Sequence, residues 1–277
     1  MLGRAEIIFG APDPDRLVTA KRLKWLHLPS AGADRYADRN LFCNKDIHLT
    51  NSRGVLGMPI AEYVLGVMLA FSRNLHLYAR QKEEKVWKRL TTAKDFAGST
   101  VGILGLGDIG TEIAKRAHAC GARVIAVKRH PKTVPEYISE LYGEDGIDTM
   151  LERCDYIVLA LPYTHRTDRI MSAERLSKLK SSSFIVNISR GELIDQEALI
   201  EVLKRNRIAG AALDVTTPEP LPSDSPLWEL PNVILTPHAS AYSPKNDDKR
   251  FRIFNRNLKL YLEGKPLENR VHLDTGY

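Results

Sequence analysis

Short runs of consecutive apolar residues, rich in Ile, Val and Leu, alternate along the chain with longer stretches whose apolar positions recur at helical spacing. The runs lie at residues 5–9, 23–28, 47–50, 101–104, 124–127, 156–161, 184–188, 209–213 and 233–235. Several are apolar at successive positions, as strands buried on both faces are. Helix-like segments at 109–120, 172–179 and 196–206 separate the later runs. This alternation predicts βα units and a parallel sheet with helices on both faces, so the fold class is α/β. Pro59, a residue suited to a first helical turn, opens another helical pattern over 60–71 that continues in charged form to about Leu90. That helix is expected to cross from a small N-terminal lobe into a second domain. Six runs between residues 101 and 235 match the strand number of a complete doubly wound sheet. A last helix, about 244–263, has no place in such a sheet and is expected to return to the first lobe.

Composition narrows the classes further. At 277 residues, with 43% hydrophobic and 27% charged residues, the chain is an ordinary globular one. Cys43, Cys120 and Cys154 are too few and too scattered for a disulfide framework or a paired metal or redox motif. The longest apolar run, 60–71, carries Glu62 and is too short to span a bilayer, and the first residues lack the apolar core of a signal peptide. The expectation is a soluble protein of a reducing compartment, the cytoplasm, with no membrane partner. The net charge of +6 raises the question of nucleic acid. Lys and Arg are interleaved with Asp and Glu, as in residues 80–85, rather than gathered in one stripe, so no nucleic-acid partner is expected. No HExxH sequence is present, and no metal is expected.

The sequence Gly105-Leu106-Gly107-Asp108-Ile109-Gly110 follows one apolar run and opens a helix, with the next run at 124–127. In such a GxGxxG turn Gly105 permits the tight bend, Gly107 lets the backbone approach a pyrophosphate, and Gly110 lets helix and strand pack closely. First-turn N–H groups then hold the phosphates. The context predicts a Rossmann-type dinucleotide site. An NAD-specific site places a carboxylate near the end of the second strand, to hold the ribose 2′-hydroxyl. Here that position reads Lys128-Arg129-His130-Pro131-Lys132. Such cations suit a 2′-phosphate, so NADP is favoured, with NAD possible.

In the doubly wound order 3-2-1-4-5-6, runs 184–188, 209–213 and 233–235 are taken as strands 4, 5 and 6, beyond the switch point where ligands bind. Each is followed by a loop with one distinctive polar residue: Arg190, then Glu219 among prolines, then His238. Together they form a set for hydride transfer to a carbonyl. Arg can bind a carboxylate, His can give and take a proton, and Glu can orient the His.

These residues also carry a family resemblance. Asn51-Ser52-Arg53-Gly54 with Pro59 to Tyr63, the glycine turn, Leu161-Pro162 through Thr167, Val186 through Asp195, Ala212 through Val215 with Pro218 to Pro222, and Thr236-Pro237-His238 together resemble the D-isomer-specific 2-hydroxyacid dehydrogenases. The resemblance implies that His238 is the acid/base, Glu219 its partner and Arg190 the anchor of a small 2-oxo acid such as glyoxylate or hydroxypyruvate. It implies that Asp214 meets the nicotinamide carboxamide, while Ile109, Pro162, Thr167 and Ile188 line the cofactor site. It gives the N–H groups of Ser30-Ala31-Gly32-Ala33-Asp34 the task of gripping the substrate carboxylate, Ala31 and Gly32 above all. A homodimer joined through the cofactor domain and its long helices is implied as well. The same resemblance leaves open a second reading, a nicotinamide-binding regulator with little turnover, like the transcriptional corepressors of this fold family.

The expected architecture is therefore a doubly wound parallel Rossmann sheet, residues 63–244, and a smaller flavodoxin-like α/β lobe that binds substrate, residues 1–62 and 245–277. Residues 5–9 resemble the family's second strand, so the lobe is expected to be shortened at its N-terminal end. In a 2-1-3-4-5 order the missing first strand is central, which predicts strands with unpaired edges beside the gap.

Overall fold

The apolar runs become strands and the amphipathic stretches helices. The computed structural model describes residues 2–131 and 133–273. In chain order its main elements are β1 (Ile7–Phe9), β2 (Trp25–Leu28), β3 (His48–Asn51), α1 (Gly57–Ser72), α2 (Leu75–Glu83), β4 (Thr100–Leu104), α3 (Asp108–Ala119), β5 (Arg123–Val127), β6 (Glu140–Tyr142), α4 (Ile147–Leu151), β7 (Tyr156–Leu159), α5 (Ala173–Ser177), β8 (Phe184–Asn187), α6 (Gln196–Lys204), β9 (Gly210–Leu213), β10 (Val233–Leu235) and α7 (Asn246–Leu262). They fall into two units, Met1–Leu56 with Ser243–Tyr277, and Gly57–Tyr242.

The first unit is built on a parallel sheet in the order β1-β2-β3. Successive side chains of β2 point to opposite faces. Leu26 and Leu28 join Leu17, Leu23, Phe42 and Leu49 in one core. Trp25 and His27 belong to the other face, where Phe254 of α7 stacks on Trp25 at 5.1 Å and on Phe9 at 4.9 Å. The C-terminal segment covers the outer edge of β3, with Val271 N–H donating to Leu49 O at 2.9 Å and Asn51 N–H to Asn269 O at 3.1 Å. The central gap expected from the sequence is not there. Ile7 is in register with Trp25, and Trp25 with His48, so three consecutive strands pair as neighbours. The error lay in equating residues 5–9 with a family strand that would stand apart. Strands consecutive along the chain usually lie next to each other in the sheet.

The second unit holds a seven-stranded parallel sheet in the order β10-β9-β8-β7-β4-β5-β6. Two of its features correct the sequence reading. The third strand of the doubly wound order is Glu140–Tyr142, which was not among the apolar runs, and Tyr156–Leu159 pairs directly with β4 on the other side. Thus β8, β9 and β10 hold the fifth to seventh places and still lie beyond the switch point. β6 forms no apolar run because its three residues are all only partly buried. Its position is held by charge: Arg153 binds both oxygens of Glu140 at 2.8 and 2.6 Å, with Arg123 and Tyr142 on the same carboxylate. Arg153 holds the Glu140 carboxyl down at about 2. The second correction concerns the long helical pattern, which breaks into α1 and α2 at Asn74. This residue takes a left-handed conformation, φ 58°, that Asn tolerates better than most.

Beneath the first unit's aromatic face runs a closed chain of buried hydrogen bonds. Trp25 Nε1–H donates to Thr50 Oγ1 at 2.8 Å, and Thr50 Oγ1 lies 2.7 Å from His27 Nδ1. His27 Nε2 is 3.3 Å from Ser52 Oγ, whose own hydrogen goes to Leu28 O at 2.9 Å. One proton arrangement satisfies every member, with Nδ1 accepting from Thr50 and Nε2–H donating to Ser52. This requires a neutral imidazole, and burial pushes His27 down to about 4. An unfolded His titrates near 6.5, so between the two values the native state binds fewer protons than the unfolded chain. The resulting stability, about 3 kcal/mol, is present above pH 6.5 and is lost as pH falls through 4. Thermal melts of the intact protein from pH 7 to 4 are expected to show this loss, and His27→Gln is expected to flatten that slope. An unchanged slope in the variant would refute the assignment. Part of the slope will persist, because burial also lowers His48 and His76.

Candidate active site

The glycine turn lies between β4 and α3, at the carboxyl edge of the seven-stranded sheet. Gly105 has φ +104°, and a side chain there would meet Ala160 O at 2.6 Å. A Cβ on Gly110 would collide with the Gly105 carbonyl, so that helix and turn meet only because neither residue has one. Gly107, by contrast, faces open space at the head of α3. There the first-turn N–H groups, Asp108, Ile109 and Gly110 among them, have no intrahelical acceptor. A cradle of this shape, open above a helix N-terminus and closed below by tight packing, fits a dinucleotide pyrophosphate. The turn is tied to the end of β5, since Gly105 and Leu106 N–H both donate to Val127 O, at 3.1 and 3.2 Å. Lys128 and Arg129 follow immediately and are exposed, whereas Lys132 lies outside the described residues.

Other expected cofactor residues surround the same edge. The loop after β7 closes on Thr167, whose hydroxyl donates to Pro162 O at 2.8 Å and accepts from Thr164 N–H at 2.8 Å. Ile188 is buried at the end of β8. Asp214, directly after β9, is buried as well. Its Oδ1 accepts from Thr236 Oγ1 at 2.6 Å, Ala239 N–H at 2.8 Å and Ser240 N–H at 3.1 Å. Oδ2 accepts from Ser240 N–H at 3.0 Å and retains lone-pair capacity for a further donor.

Two of the three residues singled out after β8, β9 and β10 meet directly. His238 Nδ1 lies 2.9 Å from Glu219 Oε2. A carboxylate oxygen only accepts, so Nδ1 carries the hydrogen of this bond and Nε2 is left as the exchangeable position. Glu219 is itself oriented by Thr216 N–H, 3.2 Å from Oε1. His238 has φ +51°, a conformation uncommon outside glycine, fixed by its N–H donating to Asp214 O at 2.8 Å. Arg190 joins this pair through the backbone. The next residue, Gly191, sits so close to Thr216 and Thr217 that any Cβ would strike them. The Arg190 carbonyl accepts from Asn187 Nδ2 at 2.8 Å, and its guanidinium donates to Ser189 O at 2.7 Å.

Three supporting residues were not singled out from the sequence. Tyr63 of α1 donates to Thr236 Oγ1 at 2.8 Å, since the Thr236 hydrogen is committed to Asp214. Burial raises the Tyr63 phenol to about 12, keeping it a donor. Gln196, at the start of α6, clamps Thr217 from both sides, donating to its carbonyl at 2.6 Å and accepting from its N–H at 2.9 Å. Tyr63 and Thr236 lie in segments that carry the family resemblance, but their pairing spans 173 positions, and Gln196 reaches Thr217 across 21, so no local pattern shows these partnerships.

In the first unit, the carbonyls of Ser30, Ala31 and Gly32 accept from Ser52 N–H, Asn51 Nδ2 and Ser30 Oγ, at 2.9, 2.7 and 2.6 Å. The N–H groups of Ala31 and Gly32 have no acceptor among the described residues. Among those residues no group of His, Cys, Asp or Glu side chains gathers as metal ligands do, and no helix is long and apolar enough to cross a membrane.

Comparison with known proteins agrees with this geometry. The family model described as D-isomer specific 2-hydroxyacid dehydrogenase, NAD binding domain, matches residues 65–240. Glyoxylate/hydroxypyruvate reductase B of Pectobacterium carotovorum subsp. carotovorum is 33% identical over 98% of this chain and 87% of its own length. D-3-phosphoglycerate dehydrogenase of Methanocaldococcus jannaschii is 34% identical over 94% of this chain, which spans about half (49%) of that longer protein. The NADPH-dependent glyoxylate/hydroxypyruvate reductase of Sinorhizobium meliloti, solved in complex with NADP and sulfate, superposes with a TM-score of 0.87 at 30% identity, covering 98% of this chain and 85% of that one. The glycine cradle, the seven-stranded parallel sheet and these matches agree: the chain belongs to the D-isomer specific 2-hydroxyacid dehydrogenases, NAD(P)-dependent oxidoreductases.

Proposed function

We propose that the protein reduces a small 2-oxo acid, of the glyoxylate or hydroxypyruvate class, to the D-2-hydroxy acid, with NADPH preferred over NADH. The observation that carries this reading is the 2.9 Å His238–Glu219 pair, held at the same sheet edge as the glycine cradle. The relatives named as glyoxylate and hydroxypyruvate reductases support the substrate class. Lys128 and Arg129, in place of a carboxylate after β5, support the phosphorylated cofactor, and the NADP complex of the Sinorhizobium meliloti reductase agrees with it.

In this reading the second unit binds the dinucleotide and the first serves the substrate. Gly105, Gly107, Asp108, Ile109 and Gly110 would form the pyrophosphate seat, Pro162, Thr167 and Ile188 would line the site, and Asp214 would meet the nicotinamide carboxamide. Bound nicotinamide supplies the hydride that reduces the carbonyl carbon. Arg190 binds the substrate carboxylate through its planar pair of donors. His238 delivers the proton from Nε2 to the carbonyl oxygen as negative charge develops there. Glu219 fixes the ring through Nδ1–H and stabilises its cationic form before the proton leaves. In the oxidising direction the same nitrogen takes the proton back.

The protein is further proposed to act as a homodimer joined through the second unit, in the cytoplasm. Trp87, fully exposed, and Val86 beside it follow α2 and offer apolar surface for a second copy.

Three measurements test these proposals. His238→Ala is expected to lower the rate of 2-oxo acid reduction by about 10²–10⁴ with cofactor affinity nearly unchanged, measured by NADPH oxidation against glyoxylate and hydroxypyruvate. Wild-type protein that binds cofactor but turns over neither acid would instead favour the regulator. Arg129→Ala is expected to raise the Kd for NADPH about tenfold and leave that for NADH within about twofold, and an equal effect on both would remove the basis for NADP preference. Sedimentation is expected to give twice the chain mass, and Trp87→Glu to give the monomer.

A further inference from the structure

The carboxyl ends of β5, β6 and β7 each send one charged side chain to a common point. Glu144, just after β6, lies between two guanidiniums. Its Oε1 is 3.6 Å from Nε of Arg129, in the loop after β5. Its Oε2 accepts a 2.8 Å hydrogen bond from Nη2 of Arg166, in the loop after β7. The backbone makes this meeting possible, because Val127 is in register with Tyr142 and Lys128 N–H donates to Tyr142 O at 3.0 Å. The exits of β5 and β6 are therefore adjacent. In a doubly wound sheet the ribose 2′ position of a bound dinucleotide lies at the end of the second strand, here β5. The Glu144 cluster stands beside it, and neither the glycine turn nor the His238 pair makes use of it.

We propose that Arg166 is a second cation for the 2′-phosphate of NADPH, acting with Arg129, and that Glu144 is the anion which the phosphate exchanges with. This deepens, and rests on, the NADPH preference proposed above. Glu144 already shows that one anionic group can address both guanidiniums at once. A 2′-phosphate offers three acceptor oxygens and close to two negative charges, and planar guanidiniums bind it in pairs of hydrogen bonds. The pairs it displaces are surface pairs, with side chains 40%, 49% and 70% exposed for Arg129, Glu144 and Arg166, and such pairs hold weakly. Carboxylate and phosphate cannot share the position, because like charges at this range repel. Glu144 thus opposes NADPH while Arg129 and Arg166 favour it. The uncharged 2′-hydroxyl of NADH provokes no exchange and can donate to the carboxylate where it stands. One side chain then acts in opposite senses on the two cofactors.

The test is a fluorescence titration of cofactor binding without any 2-oxo acid, giving Kd for NADPH and for NADH in wild type, Arg166→Ala, Glu144→Gln and Arg129→Ala. Arg166→Ala is expected to weaken NADPH about tenfold and NADH less than about twofold. Glu144→Gln is expected to tighten NADPH several-fold and not to tighten NADH, and both NADPH effects are expected to shrink in high salt. If Arg129→Ala lowers the preference for NADPH while Arg166→Ala does not, the Arg129 reading stands and the inference falls. If neither alters the preference, the reading beneath it falls too. Weaker NADPH binding in Glu144→Gln would also overturn the exchange, since it would make Glu144 a support for the phosphate rather than its competitor.

Discussion

A buried carboxylate accepting four hydrogen bonds organises the chemistry of the second unit. Asp214, at the end of β9, draws in the Thr236 hydroxyl and the N–H groups of Ala239 and Ser240, and its own carbonyl fixes the N–H of His238. The loop after β10 has no regular structure to hold it. Burial of the Asp214 carboxylate makes it costly to leave unpaired, so the loop conformation that brings these donors to it is favoured. The left-handed backbone of His238 is a local cost that this surrounding network sustains. Tyr63 extends the support to α1, and Gln196 gives the Glu219 loop an equivalent brace from α6. The His–Glu pair is consequently positioned by elements from three separate parts of the sequence.

The first unit uses a different device for a similar end. Its His27 chain is wholly interior, and every donor in it has one acceptor. Ser52, the last hydroxyl of that chain, also sends its backbone N–H to Ser30 O. Together with Asn51 it draws the carbonyls of residues 30 and 31 inward. The buried polar chain and the loop it ends on are thus parts of one structure, with the aromatic stack of Trp25, Phe254 and Tyr261 sealing the side away from water.

What could be read from the sequence was whatever depends on neighbours along the chain. The glycine turn is such a case, because each glycine answers a local steric demand, and the residues after β8, β9 and β10 gain meaning from following a strand. β6 was not legible, since three partly buried residues held by Arg153 and Arg123 leave no apolar signature. The break between α1 and α2 was hidden in a single Asn. The placing of β1 went wrong because strand order is a property of the sheet and not of the strand. Tyr63 and Thr236 lie 173 positions apart, and Arg129, Glu144 and Arg166 meet only through the pairing of β5 with β6 and the turn after β7. Such partnerships are created by topology.

The tryptophans occupy sharply different surroundings. Trp25, in the first unit, is fully buried, stacked on Phe254 and hydrogen-bonded to Thr50, whereas Trp87 and Trp228 belong to the second unit and are exposed. Burial shifts indole emission to the blue and protects it from aqueous quenchers. The chain therefore carries a built-in optical label on its smaller half: loss of the blue component would signal opening of the first unit, even while the seven-stranded sheet remained intact.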